Sequence, residues 1–245
     1  MSSVQAEITD VYDPLVRTAK ARRRGLALAM FTAPWLIVLA EAGHSLASPH
    51  GGDDIDPAVA LAIATDHTTL QRWSSCAALV GAMLLVPAVI GVMQLVRVGA
   101  ARLGLIAGVL TAGGYICYFG LVLQGAFTET AMATTGGSIG QNVGVLQAAM
   151  DDPLGVGWVG PAFVLGNIVG TFLLGLALLR ANTTGRWAGY GLIAWSVLHV
   201  LAFSPWVEVV GASAQALGLA VAAAALLREG RGTVKGPEPY ELLRK

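Results

Sequence analysis

The chain has 245 residues, 55% of them hydrophobic and 12% charged, and a formal net charge of zero. Its mean hydropathy is +0.67. A water-facing domain carries about 25% charged residues, so this composition excludes an ordinary soluble domain. With basic residues confined to the flanks of apolar runs, it also argues against a nucleic-acid-binding surface.

A hydrocarbon core about 30 Å thick takes around 20 residues of helix to cross, and the sequence predicts six such crossings. Met1–Arg24 is a polar lead-in ending in Arg22-Arg23-Arg24, and Gly25–Leu46 is the first apolar run. That run exceeds the 7–15 residues of a signal-peptide core, so it reads as an uncleaved span. The connection Ala47–Ser74 follows. Its Asp53-Asp54-Ile55-Asp56 cluster resembles the acidic groups that bind Mg²⁺ in diphosphate-using prenyl enzymes. Coming after Gly51-Gly52, it reads better as a solvated loop, with Asp56 as N-cap and Pro57 as first residue of a short helix to about His67.

The second and third spans are Ser75–Val96 and Leu103–Phe127, joined by the turn Arg97–Arg102. Thr128–Gly157 is a second long connection, in which Gln141–Met150 has the apolar spacing of an interfacial helix (Val143, Val145, Leu146, Met150). Trp158–Leu179, Trp187–Phe203 and Val207–Leu227 complete the set, with turns at Arg180–Arg186 and Ser204-Pro205-Trp206. Arg228–Lys245 is a charged tail. The runs are continuous rather than alternating, which favours helices over a membrane barrel. The expected fold is therefore all-α: one polytopic membrane helical bundle over residues 25–227, flanked by segments 1–24 and 228–245, with short extra helices in two outer loops.

Charge placement predicts the orientation. With the N-terminus inside, the inner segments hold fourteen basic residues and the outer ones only Arg72. This positive-inside bias puts both termini in the cytoplasm of a multi-pass cell-membrane protein in contact with lipid. Gly104/Gly108 and Gly166/Gly170 have the small-xxx-small spacing of close helix contacts. Pro34 and Pro87 remove amide donors within spans and tend to kink them. Cys76 and Cys117 read as small packing residues.

An ionisable side chain inside a span is a functional-site hypothesis by default, because insertion costs roughly 2.5–3.5 kcal/mol. Glu41 is such a residue, with His44 three positions on along the same face. His199, Glu208 and Gln124 fall at a similar, outer depth on other spans, and Asn167 near a midplane, which predicts one polar pocket opening outward. Glu41 needs a partner or a proton at that depth; as a neutral acid it is a proton donor. Glu41, His44 and His199 are the candidate catalytic residues. A single metal on these three, or haem on the two histidines, are open alternatives, but one Glu-x-x-His copy is not a dimetal signature, and no metal or cofactor is expected. Trp35, Tyr115, Tyr118, Phe119, Phe163 and Trp195 lie deep enough to wall a cavity; together with Gln124, Asn167 and Glu208 they are the candidate substrate-binding residues. Ring faces attract cations by roughly 0.5–2 kcal/mol, and a buried acid beside them suits acid-initiated cyclisation of a prenyl chain.

With its size, its intramembrane Glu41 and its aromatics Trp35, Tyr118 and Trp195, the chain resembles the small transmembrane terpene cyclases of fungal and actinobacterial meroterpenoid and prenyl-indole pathways. It is similar as well to six-span actinobacterial membrane proteins, a likeness that implies no activity. The cyclase resemblance implies a cofactor-free helical bundle acting on an apolar prenylated molecule, with Glu41 as general acid. The fungal members are drawn with seven spans against six here, and for a second acid only Glu129 and Glu208 have suitable depth. The alternative expectation is a small transporter or ligand-binding membrane protein that uses the Glu/His site for a cation or a proton.

Overall fold

The computed structural model describes residues 3–48, 56–135, 137–152, 156–201 and 203–232. Asp53–Ile55 of the acidic cluster and the tail beyond residue 232 lie outside them. Every element among the described residues is helical: α1 (Ser3–Ala47), α2 (Pro57–Asp66), α3 (Thr68–Val96), α4 (Ala101–Gln124), α5 (Ala126–Thr135), α6 (Ile139–Asp151), α7 (Val159–Val164), α8 (Thr171–Ala181), α9 (Arg186–Val200) and α10 (Pro205–Gly232). A 3₁₀ turn at Val156–Trp158 precedes α7, and a π-helical turn at Leu165–Gly170 joins α7 to α8.

Five helical stretches among the described residues are long and apolar enough to cross a membrane: Arg17–Ala47, Thr68–Val96, Ala101–Thr135, Val159–Ala181 and Pro205–Arg228. The sixth expected crossing, α9, has 15 residues, a rise of about 22 Å that falls short of the hydrocarbon thickness on its own. It is nevertheless packed between α8 and α10. Gly175 and Leu179 of α8 meet Gly189, while Gly218 and Gly211 of α10 meet Gly191 and Trp195, so α9 runs antiparallel to both.

The remaining long helices alternate in direction. Gly81 and Gly91 of α3 meet Ile37 and Met30 of α1, and Gly104 and Gly108 of α4 meet Val96 and Met93 of α3. A close backbone approach joins α4 to the π turn. A Cβ built on Gly166 would stand 2.6 Å from Gly114 Cα and 2.6 Å from Leu110 O, so only glycine fits there. The expected small-residue contacts at Gly104/Gly108 and Gly166/Gly170 thus both fall on helix interfaces, the second against a glycine the spacing rule did not single out. Helical backbone continues through Pro34 and Pro87. No break marks Arg24 either, since α1 runs on from the polar lead-in.

Short connections are locally determined. Between α8 and α9, Asn182 adopts φ 52° and Gly185 φ 77°, left-handed values that Asn and Gly tolerate best. Thr183 Oγ1 ties this turn to α3 by donating to Leu95 O at 3.2 Å. At the start of α2, Asp56 accepts from Ala58 N at 2.9 Å with Pro57 at the first position, the cap its sequence predicts. Ser138 caps α6 the same way, accepting from Gln141 N at 3.3 Å.

The bundle divides along its length. In one half Met30, Leu85, Val92, Leu95, Leu174, Leu178, Leu192 and Leu226 are all but fully buried in a continuous apolar core. The exposed basic residues Arg17, Lys20, Arg24, Arg97, Arg102, Arg180, Arg186 and Arg228 lie at that end. The other half, capped by α2, α5 and α6, is hollow.

Candidate functional site

A cavity of about 670 Å³ fills the hollow half. It is built from one short stretch of nearly every element. α1 contributes Glu41 and His44, which share a face because they are three residues apart. α3 contributes Gln71, Ser74 and Ser75 from its first two turns, and α4 contributes Tyr115, Tyr118 and Gln124. Phe163 comes from α7, Asn167 from the π turn, Trp195 and His199 from α9, and Glu208 from the first turn of α10. Pro57 and Ala60 of α2, Glu129 of α5 and Leu146, Ala149 and Met150 of α6 close the end.

All three residues expected to be catalytic, Glu41, His44 and His199, therefore face one space. So do Tyr115, Tyr118, Gln124, Phe163, Asn167, Trp195 and Glu208. Trp35 and Phe119 do not line it, contrary to the place their depth predicts. Helix geometry gives the reason. Phe119 is one residue from Tyr118, about 100° round α4. Trp35 is 37% exposed and lies about 160° round α1 from Ile37, which does line the cavity.

The aromatic wall is ordered by direct ring contacts. Tyr118 and Phe163 stack with centroids 5.1 Å apart and planes 25° from parallel, joining α4 to α7. Trp195 and His199, one turn apart on α9, lie 4.8 Å apart at 43°. Tyr115 is tied down at its far end, where Gln215 Nε2 of α10 donates to its hydroxyl at 2.8 Å. Both partners are buried, so this bond fixes α4 against α10 behind the cavity wall.

His199 Nδ1 stands 3.7 Å from Glu208 Oε1. That distance permits electrostatic attraction but is too long for a hydrogen bond. Several lining residues carry buried polar atoms without a hydrogen-bond partner among the described residues: Gln71 Oε1, Asn167 Oδ1, Trp195 Nε1 and His199 Nδ1. Buried polar atoms are normally satisfied, and these four are gathered around one cavity. Among the described residues no three His, Cys, Asp or Glu side chains converge as a metal-binding group.

The residues that sequence reasoning missed lie on α3 and α10. Gln71 and Ser74 fell in a predicted loop because hydropathy alone started the span at Ser75, whereas α3 begins at Thr68. Glu129 was placed by depth only; its helix starts directly after Gly125, which ends α4 with ψ −90°. Gln215 is a polar residue within an apolar run, a signal that was available. No known family model, curated protein or solved structure matches this chain.

Proposed function

We propose that this protein is a membrane enzyme that cyclises a prenylated, largely apolar molecule by an acid-initiated carbocation route, with Glu41 as proton donor. The observation that carries the reading is the presence of Glu41 on the wall of the same cavity as four aromatic rings, Tyr115, Tyr118, Phe163 and Trp195. Donation of the Glu41 proton to a terminal alkene carbon leaves a tertiary cation. The π electrons of the next alkene then close a carbon–carbon bond, and the charge moves along the chain. Loss of a proton from the carbon beside the last cation ends the reaction as an isomerisation. His199, next to Glu208, accepts that proton and releases it to water at the cavity mouth, and His44 takes a proton from water and passes it to Glu41, which resets the site. The ring faces stabilise the cation as it migrates, and the α2/α6 cover limits its capture by water.

The six-span arrangement, with α9 as a short crossing and both termini on the cytoplasmic side of a cell membrane, belongs to the same proposal. The exposed basic residues at the packed end support it, and the cavity then opens towards the outer side. Passage of a solute through the bundle fits less well, because the half beneath the cavity is filled by apolar side chains.

The test is turnover. The protein reconstituted in lipid nanodiscs is incubated with a panel of prenylated arenes and prenyl epoxides, and products of unchanged mass are sought by chromatography. Glu41→Gln is expected to lower turnover by about 10²-fold or more, the usual contribution of a general acid. Full activity of a folded Glu41→Gln protein sinks the proton-donor role.

A further inference from the structure

The charges around the cavity are one-sided. Glu41, Glu129 and Glu208 line it, from three different helices, and among the described residues no lysine or arginine does. Its other titratable lining groups are His44, His199, Tyr115 and Tyr118. Among the described residues no lining side chain therefore carries a fixed positive charge, whether or not Glu41 holds its proton. The rings of Tyr118, Phe163 and Trp195 line the same space, and a ring face favours a cation over an anion. The unpartnered Gln71 Oε1 and Asn167 Oδ1 are acceptors only, on side chains 8% and 2% exposed respectively. They can satisfy an N–H or O–H but not a phosphate or carboxylate oxygen. An anion placed here would lose its hydration and find Trp195 Nε1 as an orphaned donor but no lysine or arginine on the lining among the described residues.

We infer that the cavity is charge-selective, binding lipophilic ammonium compounds in preference to neutral analogues and excluding phosphorylated or carboxylated ones. The inference rests on the reading that this cavity receives an apolar ligand, but it does not require that the ligand be cyclised. An N–H-bearing cation meets the carboxylates and the orphaned acceptors, while its hydrocarbon tail lies along Ile37, Leu121, Leu146 and Val164. Diphosphate esters are thereby ruled out as ligands of this site.

Three probes with one tail and different heads test this: geranylamine, geraniol and geranyl phosphate. Saturable binding to the protein in zwitterionic-lipid nanodiscs is followed by quenching of tryptophan emission, and empty nanodiscs correct for partition into lipid. The amine is expected to bind about tenfold more tightly than the alcohol, the scale of one favourable desolvated charge contact, and the phosphate is expected to show no saturable phase. In Glu129→Gln/Glu208→Gln the amine-to-alcohol ratio falls towards one; if that double variant does not fold, Glu208→Gln alone serves, and the wild-type comparison needs neither. Phosphate binding as tight as the amine overturns the inference. Equal binding of amine and alcohol overturns the selectivity while leaving the ligand cavity intact. No saturable binding of any probe overturns both. Tight amine binding without cyclase turnover upholds the inference and removes the cyclase reading.

Discussion

Arg24 and Glu41 lie on one continuous helix, separated by a rise of about 25 Å, so a single element carries a basic cluster near its middle and the cavity acid near its C-terminal end. The residues around Glu41 divide into those that face the cavity and those that hold its wall in place. Tyr115 does both. Its hydroxyl accepts from Gln215 Nε2 at 2.8 Å, and Tyr115→Phe strands a buried amide, which should lower stability by about 1–3 kcal/mol in thermal unfolding. Adding Gln215→Leu should recover part of that loss; failure to recover any would mean the bond is not what fixes the two helices. Trp35→Phe offers the contrast: outside the cavity, it should leave binding and turnover near wild type. The ionisable residues were the legible part of the site, because Glu41 and His199 stand out in apolar runs. The aromatic residues were legible in part: Tyr115, Tyr118, Phe163 and Trp195 line the cavity, but lipid and bundle interior are both apolar, so composition alone does not tell an inward Trp195 from an outward Trp35.

At the scale of elements, the span interiors were legible as uninterrupted apolar runs, and the helix starts at Pro57 and Ile139 were near-legible from Asp56-Pro57 and the Gln141–Met150 pattern. The start of α3 and the π turn were not. The first lies beyond the apolar run that defines a span. The second depends on how α4 and the chain after α7 fit together, a tertiary matter that no local propensity encodes. Gly114 and Gly166 set that fit. Gly114→Ala places a methyl against Asn167 N at 2.5 Å and Gly166 C at 2.6 Å, and should cost at least the roughly 1–3 kcal/mol typical of overpacking. Because Asn167 and Phe163 ride on the displaced segment, ligand affinity should fall with stability; unchanged ligand affinity in this variant would detach the π turn from the cavity. At the opposite rim, Asp56→Ala removes the cap of α2 and should weaken that helix by about 1 kcal/mol, seen as faster amide exchange over Pro57–Asp66 with the long helices unaffected.

The whole molecule is a bundle packed at its basic end and hollow at the end covered by α2, α5 and α6. Its polarity makes a topological prediction. If α9 crosses the membrane despite its 15 residues, an even number of crossings puts both termini on one side. Tags at the two ends should then be protected together in sealed right-side-out vesicles; protection of only one tag would reduce α9 to a partial insertion. The all-helical bundle of long apolar helices was legible, because hydropathy is a signal the bilayer itself uses. The depth of a polar pocket was legible as well, but not its volume, which depends on how the lining helices pack against one another.

The central claim is that Glu41 delivers a proton to an apolar substrate held among Tyr115, Tyr118, Phe163 and Trp195, and isotope transfer tests it most directly. Turnover in D₂O should give a cyclised product carrying one deuterium at the carbon that was protonated, with the product absent in a folded Glu41→Gln protein. Product without deuterium, or the same labelled product from Glu41→Gln, would contradict the account.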